Sequence, residues 1–189
     1  VDDIHESGKL LLSIVNDLLD TTKLESGQMT LDRGSFDPQA TTASVVAKFR
    51  PTTLRKKLRV TVEVADGFPE MLLGDERALV QILNNLISNA CRHTDEDGTI
   101  TVSWALDGPD VVSLRVADTG SGMSADMLAK VGEPFLGGSA YLAQRGERGT
   151  GLGLYICTKL VAAMGGTLKV ESARGEGTTV RMTWPVEVA

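Results

Sequence analysis

Between Gly74 and Thr94 apolar residues return at three- and four-residue intervals, as Leu79, Ile82, Leu83, Leu86, Ile87 and Ala90. That is the period of an amphipathic helix, and Asp75 stands where an N-cap belongs. A face that broad has to be covered by another layer, and the following residues offer one. Thr99 to Leu106 and Val111 to Ala117 alternate polar with apolar residues around Asp107-Gly108-Pro109-Asp110, the pattern of a hairpin. Leu58, Val60, Val62 and Val64 alternate in the same way, and Thr167 to Val170 and Thr178 to Trp184 flank a Gly175-Glu176-Gly177 turn. Shorter helices are predicted around Val45, Val46 and Phe49, near Ser124 to Val131, and from Leu152 to Met164 ahead of Gly165-Gly166. Gly34, Ser35, Phe36, Asp37 and Pro38 read as a connector. The expected class is α+β, an α/β sandwich whose mixed sheet is covered on one face by helices.

The chain has 189 residues, 42% hydrophobic and 23% charged, enough apolar material for a core and too much for a disordered segment. Its formal charge of −6 argues against a surface that coats nucleic acid, so no nucleic-acid partner is expected and any polyphosphate must be recognised locally. The longest apolar stretches are cut by Ser13, Asn16 and Asp17, short of a bilayer span, so no direct membrane contact is expected of these residues. Cys91 and Cys157 each sit inside an apolar helical pattern without metal spacing. They read as buried thiols in a reducing compartment, hence a cytoplasmic placement, with anchoring of the intact protein left open.

From Ile4 to Leu24 the residues Ile4, Leu11, Leu12, Ile14, Val15, Leu18 and Leu19 give a helix with a broad apolar face, stopped by Glu25-Ser26-Gly27. Its covering helices are expected upstream or on another subunit, and the Val-Asp-Asp start looks like the edge of a longer protein. Residues 1–29 are accordingly read as part of a helical bundle and 30–189 as a second domain.

Three groups of residues bring chemistry. Asn85 and Asn89, four apart beside Asn84, share one helix face, and Arg92, His93 and Thr94 add donors at its end. Amide oxygens can ligate a hard cation such as Mg²⁺, which takes few protein ligands beside phosphates; they can also be caps or buried hydrogen-bond partners. Asp118-Thr119-Gly120-Ser121-Gly122-Met123 sets a carboxylate at a strand end with glycines after it. A carboxylate accepts a bond from an exocyclic amino group and glycines admit a flat base, though a plain turn would look similar. Gly149-Thr150-Gly151-Leu152-Gly153-Leu154 follows a loop instead of a strand and lacks a Gly-Lys-Ser/Thr ending, so neither the Rossmann nor the P-loop reading holds. Backbone N–H groups at a helix start remain, a suitable anion site.

In that order, with Glu133-Pro134-Phe135 between the last two, these motifs resemble the histidine kinase catalytic and ATP-binding domain of the wider gyrase, heat-shock chaperone and mismatch-repair ATPase superfamily, a Bergerat-type fold. Ser7-Gly8-Lys9-Leu10-Leu11 and Asn16-Asp17-Leu18-Leu19-Asp20 resemble the second helix of the kinase dimerisation and phosphotransfer bundle. The resemblance implies that Asn89 ligates Mg²⁺ with Asn85 beside it, and that Arg92 meets phosphates. It implies that Asp118 reads the adenine amino group between Gly120 and Gly122. Phe135 would anchor an ATP lid running to Arg148, and Gly149, Thr150, Gly151, Leu152 and Gly153 would close on the phosphates. His93 either touches phosphates or ends the helix. Relatives of the gyrase type carry a Glu where Asn85 stands; a neutral amide cannot take a proton from water. Poor hydrolysis and transfer to a docked acceptor are therefore implied.

The family's phosphoacceptor His is not in the chain, since His5-Glu6 is followed by the second-helix pattern. The implied partners are a homodimer mate through the bundle and a response regulator whose Asp receives the phosphate. Leu136-Gly137-Gly138 departs from the polar residues common at the lid's start, where Lys130, Arg145 and Arg148 could supply charge instead. A degenerate kinase-like module acting through partner binding is the alternative implied by that departure, and an independent ATPase of gyrase kind is a third.

Overall fold

The structure, a computed structural model, describes residues 31–134 and 151–188 together with Gly8. The expected helix from Ile4 to Leu24 apart from Gly8, its His5, and the lid residues from Phe135 to Thr150 lie outside the described residues.

The elements run β1 (Gly34–Phe36), α1 (Pro38–Lys48), α2 (Arg50–Arg55), β2 (Arg59–Val64), β3 (Leu72–Gly74), α3 (Glu76–His93), β4 (Thr99–Leu106), β5 (Val111–Asp118), α4 (Ala125–Leu128), α5 (Gly153–Ala163), β6 (Thr167–Ala173), β7 (Gly177–Pro185) and β8 (Glu187–Val188). Five strands form one sheet in the order β2-β4-β5-β7-β6. Only β2 and β4 pair in parallel; the other pairings are antiparallel, so the sheet is mixed as expected. The residues Gly34 to Phe36, read as a connector, form a strand instead. It pairs with β3, and β3 pairs with β8, in a second sheet of three short strands. A run of Gly-Ser-Phe has no strand signal of its own; its ladder comes from a segment nearly forty residues away, where Gly34 faces Gly74.

Alternation explains the layer order. Ile100, Val102 and Trp104 of β4, Val112, Leu114 and Val116 of β5, and Val180, Met182 and Trp184 of β7 are buried on one face. Leu79, Ile82, Leu83, Leu86 and Ile87 of α3, with Ile156, Leu160 and Val161 of α5, are buried in the same core. The opposite sheet face holds Thr101, Arg115 and Arg181 and is polar. In the middle of the core the indoles of Trp104 and Trp184 meet edge to face at 6.0 Å. The Trp104 Nε1–H finds its acceptor in the buried Thr42 Oγ1 of α1 at 3.0 Å, which ties α1 to the sheet.

Helix α3 starts where Asp75 predicts. Its carboxylate, only 6% exposed, accepts the N–H groups of Arg77 and Ala78 at 2.9 and 3.0 Å and that of Asp32 at 2.9 Å. Among the described residues no helix is long and apolar enough to cross a membrane.

Candidate nucleotide site

The C-terminal half of α3 is where the separate motifs meet. Gly153 opens α5 directly against the asparagine face: a Cβ built on it would stand 3.5 Å from Asn89 Nδ2 and 3.7 Å from Asn85 Cβ and Cγ. The approach is set by Leu152, 1% exposed, whose carbonyl begins the helical bonding to Ile156 at 2.8 Å, and by Gly151 at φ +69°, a turn that favours glycine. Asn84 is a different case from its neighbours. Its Nδ2 donates to Val80 O at 2.8 Å within its own helix, which satisfies it locally. Asn85 Nδ2 is buried with no hydrogen-bond partner of good geometry among the described residues. Behind it lies Cys157, fully buried; burial pushes that thiol up to about 12, with the Asn85 side chain acting in the other direction.

The second motif reaches α3 from the sheet. Asp118 ends β5 and its Oδ1 accepts the N–H of Gly120 at 2.9 Å and of Thr178 at 3.3 Å. Burial of the carboxyl raises its pKa above the usual carboxylate value, and the two N–H bonds oppose that rise. From there the loop turns onto the end of α3. Ser121 donates its N–H to His93 O at 3.0 Å, and Gly120 lies so close that a Cβ would fall 2.4 Å from the same oxygen. On its other side Gly122 packs on Ala173, where a Cβ would come within 1.8 Å of the carbonyl oxygen. The immediate demand for glycine at 120 and 122 is therefore backbone packing on α3 and on β6.

Thus Asn85, Asn89 and Gly153 are brought together, and His93 is brought to Gly120 and Ser121, with Asp118 two residues before the contact. Arg92 stands in the same last turn. Phe135, Arg148, Gly149 and Thr150 lie outside the described residues. Sequence reading missed Thr178, Gly177 and Ser172, which wall the Asp118 loop. Ser172 Oγ accepts from Met123 N at 2.8 Å and donates to Gly177 O at 2.8 Å. Their signal was available as a glycine pair followed by hydroxyls at the β6–β7 turn, but only the turn itself is visible without the fold.

The donors suit Mg²⁺ only in one way. Among the described residues no group of three His, Cys, Asp or Glu could hold a metal, so an all-protein cage is not available. A cation that takes one amide oxygen and completes its octahedron with waters and phosphates fits this set.

Residues 74–188 match the family model described as histidine kinase-, DNA gyrase B-, and HSP90-like ATPase. The chain is 38% identical over 181 residues to the sensor histidine kinase RcsC of Escherichia coli K12, covering 95% of this chain and 19% of that protein. It is 38% identical over 189 residues to the histidine protein kinase DivJ of Caulobacter vibrioides, covering 98% of this chain and 30% of the relative. Full-length ShkA, solved in complex with AMPPNP, superposes with a TM-score of 0.85 at 31% identity, over 100% of this chain and 38% of that one. The chain spans less than a third of either curated relative. It belongs to the histidine kinase-, gyrase B- and HSP90-like ATPases, as a histidine kinase catalytic and ATP-binding domain.

Proposed function

We propose that this chain is the catalytic region of a two-component sensor kinase that moves the γ-phosphoryl group of ATP to a bundle His outside the chain, and from there to a response-regulator Asp. The observation that supports it most is the meeting of three motifs from distant parts of the chain on the last two turns of α3: the start of α5 at Gly153 lies against Asn85 and Asn89, and the loop that follows the half-buried Asp118 rests on His93 O. In this reading Asp118 Oδ2 accepts the adenine amino group while Oδ1 stays bonded to Gly120 and Thr178. Asn89 presents its amide oxygen to Mg²⁺, Arg92 faces the phosphates, and the start of α5 at Gly151, Leu152 and Gly153 supplies N–H groups. The bound cation would offset phosphate charge.

Asn85 has no proton-accepting group of useful basicity, so water is not activated and the phosphoryl group waits for an acceptor. The bundle, 1–29 and its expected upstream partner helix, would position that acceptor and pair two protomers. Titration with Mg²⁺ and AMP-PNP tests the pocket, with Asp118→Asn and Asn89→Ala as variants; unchanged affinity in both rejects it. Labelled ATP offered to the chain extended by its upstream helix tests transfer. Binding without transfer favours the kinase-like module that signals through partner contact, which the unusual Leu136-Gly137-Gly138 suggests.

A further inference from the structure

Every terminal carbonyl of α3 has a partner, and two of them share theirs with the carbonyl of the C-cap residue Thr94. Lys56, the residue that closes α2, donates from Nζ to Cys91 O at 2.9 Å, Arg92 O at 3.1 Å and Thr94 O at 2.9 Å. Thr94 N takes Ala90 O at 3.0 Å and Ser121 N takes His93 O. An ammonium has three N–H donors, so Lys56 spends all of them on this one turn. The contact is not a chance meeting of a surface lysine. Lys57 at φ +52° and the bonds from Lys57 N to Leu54 O and Leu58 N to Thr53 O fix the chain at that point, and Asp97 N donates to Lys56 O at 3.1 Å.

The helix end so held is the one that carries Asn89, Arg92 and His93 in its last two turns. A helix C-terminus carries a partial negative charge of about half an electron, the wrong sign for a polyphosphate. The ammonium opposes that charge at the turn itself. It also fixes the backbone between two carbonyls on either side of His93 O, the atom on which Ser121 and Gly120 rest.

We propose that Lys56 is a positioning residue for nucleotide binding: it touches no nucleotide, but it holds the last turn of α3 against the Asp118 loop and offsets the helix-end charge there. The inference rests on the nucleotide-site reading given above.

The test uses the whole chain with Lys56→Met, Lys56→Gln and Lys56→Arg, each assayed below its unfolding transition for Mg²⁺·AMP-PNP affinity and for hydrogen exchange at the Ser121 amide. Lys56→Met is expected to bind tenfold or more weakly and to lose protection at Ser121 while amides of the β5–β7 ladder keep theirs. Lys56→Arg, whose planar fork cannot serve three convergent carbonyls, is expected between Met and wild type. If Lys56→Met does not fold, Lys56→Gln decides the matter with the same two readouts. A folded variant without the ammonium that binds as wild type does, or one whose Ser121 amide stays protected, overturns the proposal. Wild-type binding that Asp118→Asn weakens tenfold or more keeps the site reading intact in that event; failure of the wild type to bind removes both.

Discussion

Thr178 donates its backbone N–H to Asp118 Oδ1 at 3.3 Å, bridging β7 to the end of β5 on the carboxylate that is proposed to read adenine. With the Gly120 N–H at 2.9 Å on the same oxygen, two backbone donors hold one side of the carboxyl. An Asn in its place keeps both acceptor contacts, because its Oδ1 has two lone pairs. It puts an N–H₂ where a second oxygen was. Asp118→Asn is therefore expected to fold normally and to lose about 10–100-fold in adenine-nucleotide affinity, the range for a hydrogen bond to a charged group. Calorimetric titration measures it.

The same carboxyl has a stability signature. Its pKa is raised in the folded state, chiefly by burial, so the folded chain holds that proton more tightly than the unfolded one. The stability it contributes is full below the ordinary carboxylate value and is lost as pH rises through the raised value. At neutral pH Asp118→Asn should then unfold at the same temperature as the parent or higher, and below about pH 4 the advantage should vanish. Nucleotide affinity should run the other way, weakening as acid protonates the acceptor. Thermal melts and titrations across pH check both signs.

Gly177 and Gly175 separate two costs that are usually mixed. Both have positive φ, +82° and +78°, but a Cβ on Gly177 would lie 1.9 Å from Asp118 O whereas one on Gly175 meets nothing within 4 Å. Gly175→Ala should cost about 1–2 kcal/mol, the left-handed penalty alone. Gly177→Ala should exceed it, by about 1–3 kcal/mol for overpacking, and should also loosen nucleotide binding because the atom displaced belongs to Asp118. Urea melts give the first difference and titration the second.

Asp75 joins the start of α3 to the segment before β1. Its carboxylate accepts three N–H groups while 6% exposed. Asp75→Ala removes an N-cap and strands buried donors, for an expected loss of about 2–3 kcal/mol. Asp75→Asn should recover part of it. Because the cap lies at the far end of α3 from Asn89, nucleotide affinity of the folded variant should stay within about twofold, a free-energy change of less than 1 kcal/mol.

Cys91 and Cys157 are both buried with thiols pushed up, Cys157 to about 12. The thiolate is the reactive form, so a thiol reagent at pH 8 should label neither in the native chain and both of the two cysteines once it is unfolded in denaturant. Rapid labelling of native Cys157 would show that α5 opens locally.

The regular elements were readable because their signals are local. The spacing of Leu79, Ile82, Leu83, Leu86 and Ile87, the cap at Asp75 and the alternation of Thr99 to Leu106 each require only near neighbours in the chain, and each matches the structure within a residue or two. The three-stranded sheet was not readable, since Gly34 to Phe36 has no strand tendency and becomes one only by facing Leu72 to Gly74. The same division runs through the site. Asn85, Asn89 and Asp118 could be singled out by type and position, while Thr178, Ser172 and Lys56 are unremarkable in sequence and matter only for what they touch.

The amino-acid order alone determined the long helices and the strands of the five-stranded sheet, which face of each is apolar, and which side chains have the chemistry for a nucleotide and a hard cation. The tertiary structure alone decided that Asn85 differs from Asn84, that the glycines at 120 and 122 are packing requirements, and that Lys56 closes α3. The reason is physical: propensity and periodicity act over a few residues, whereas hydrogen-bond satisfaction and close packing are settled between atoms that the fold brings together from distant parts of the chain.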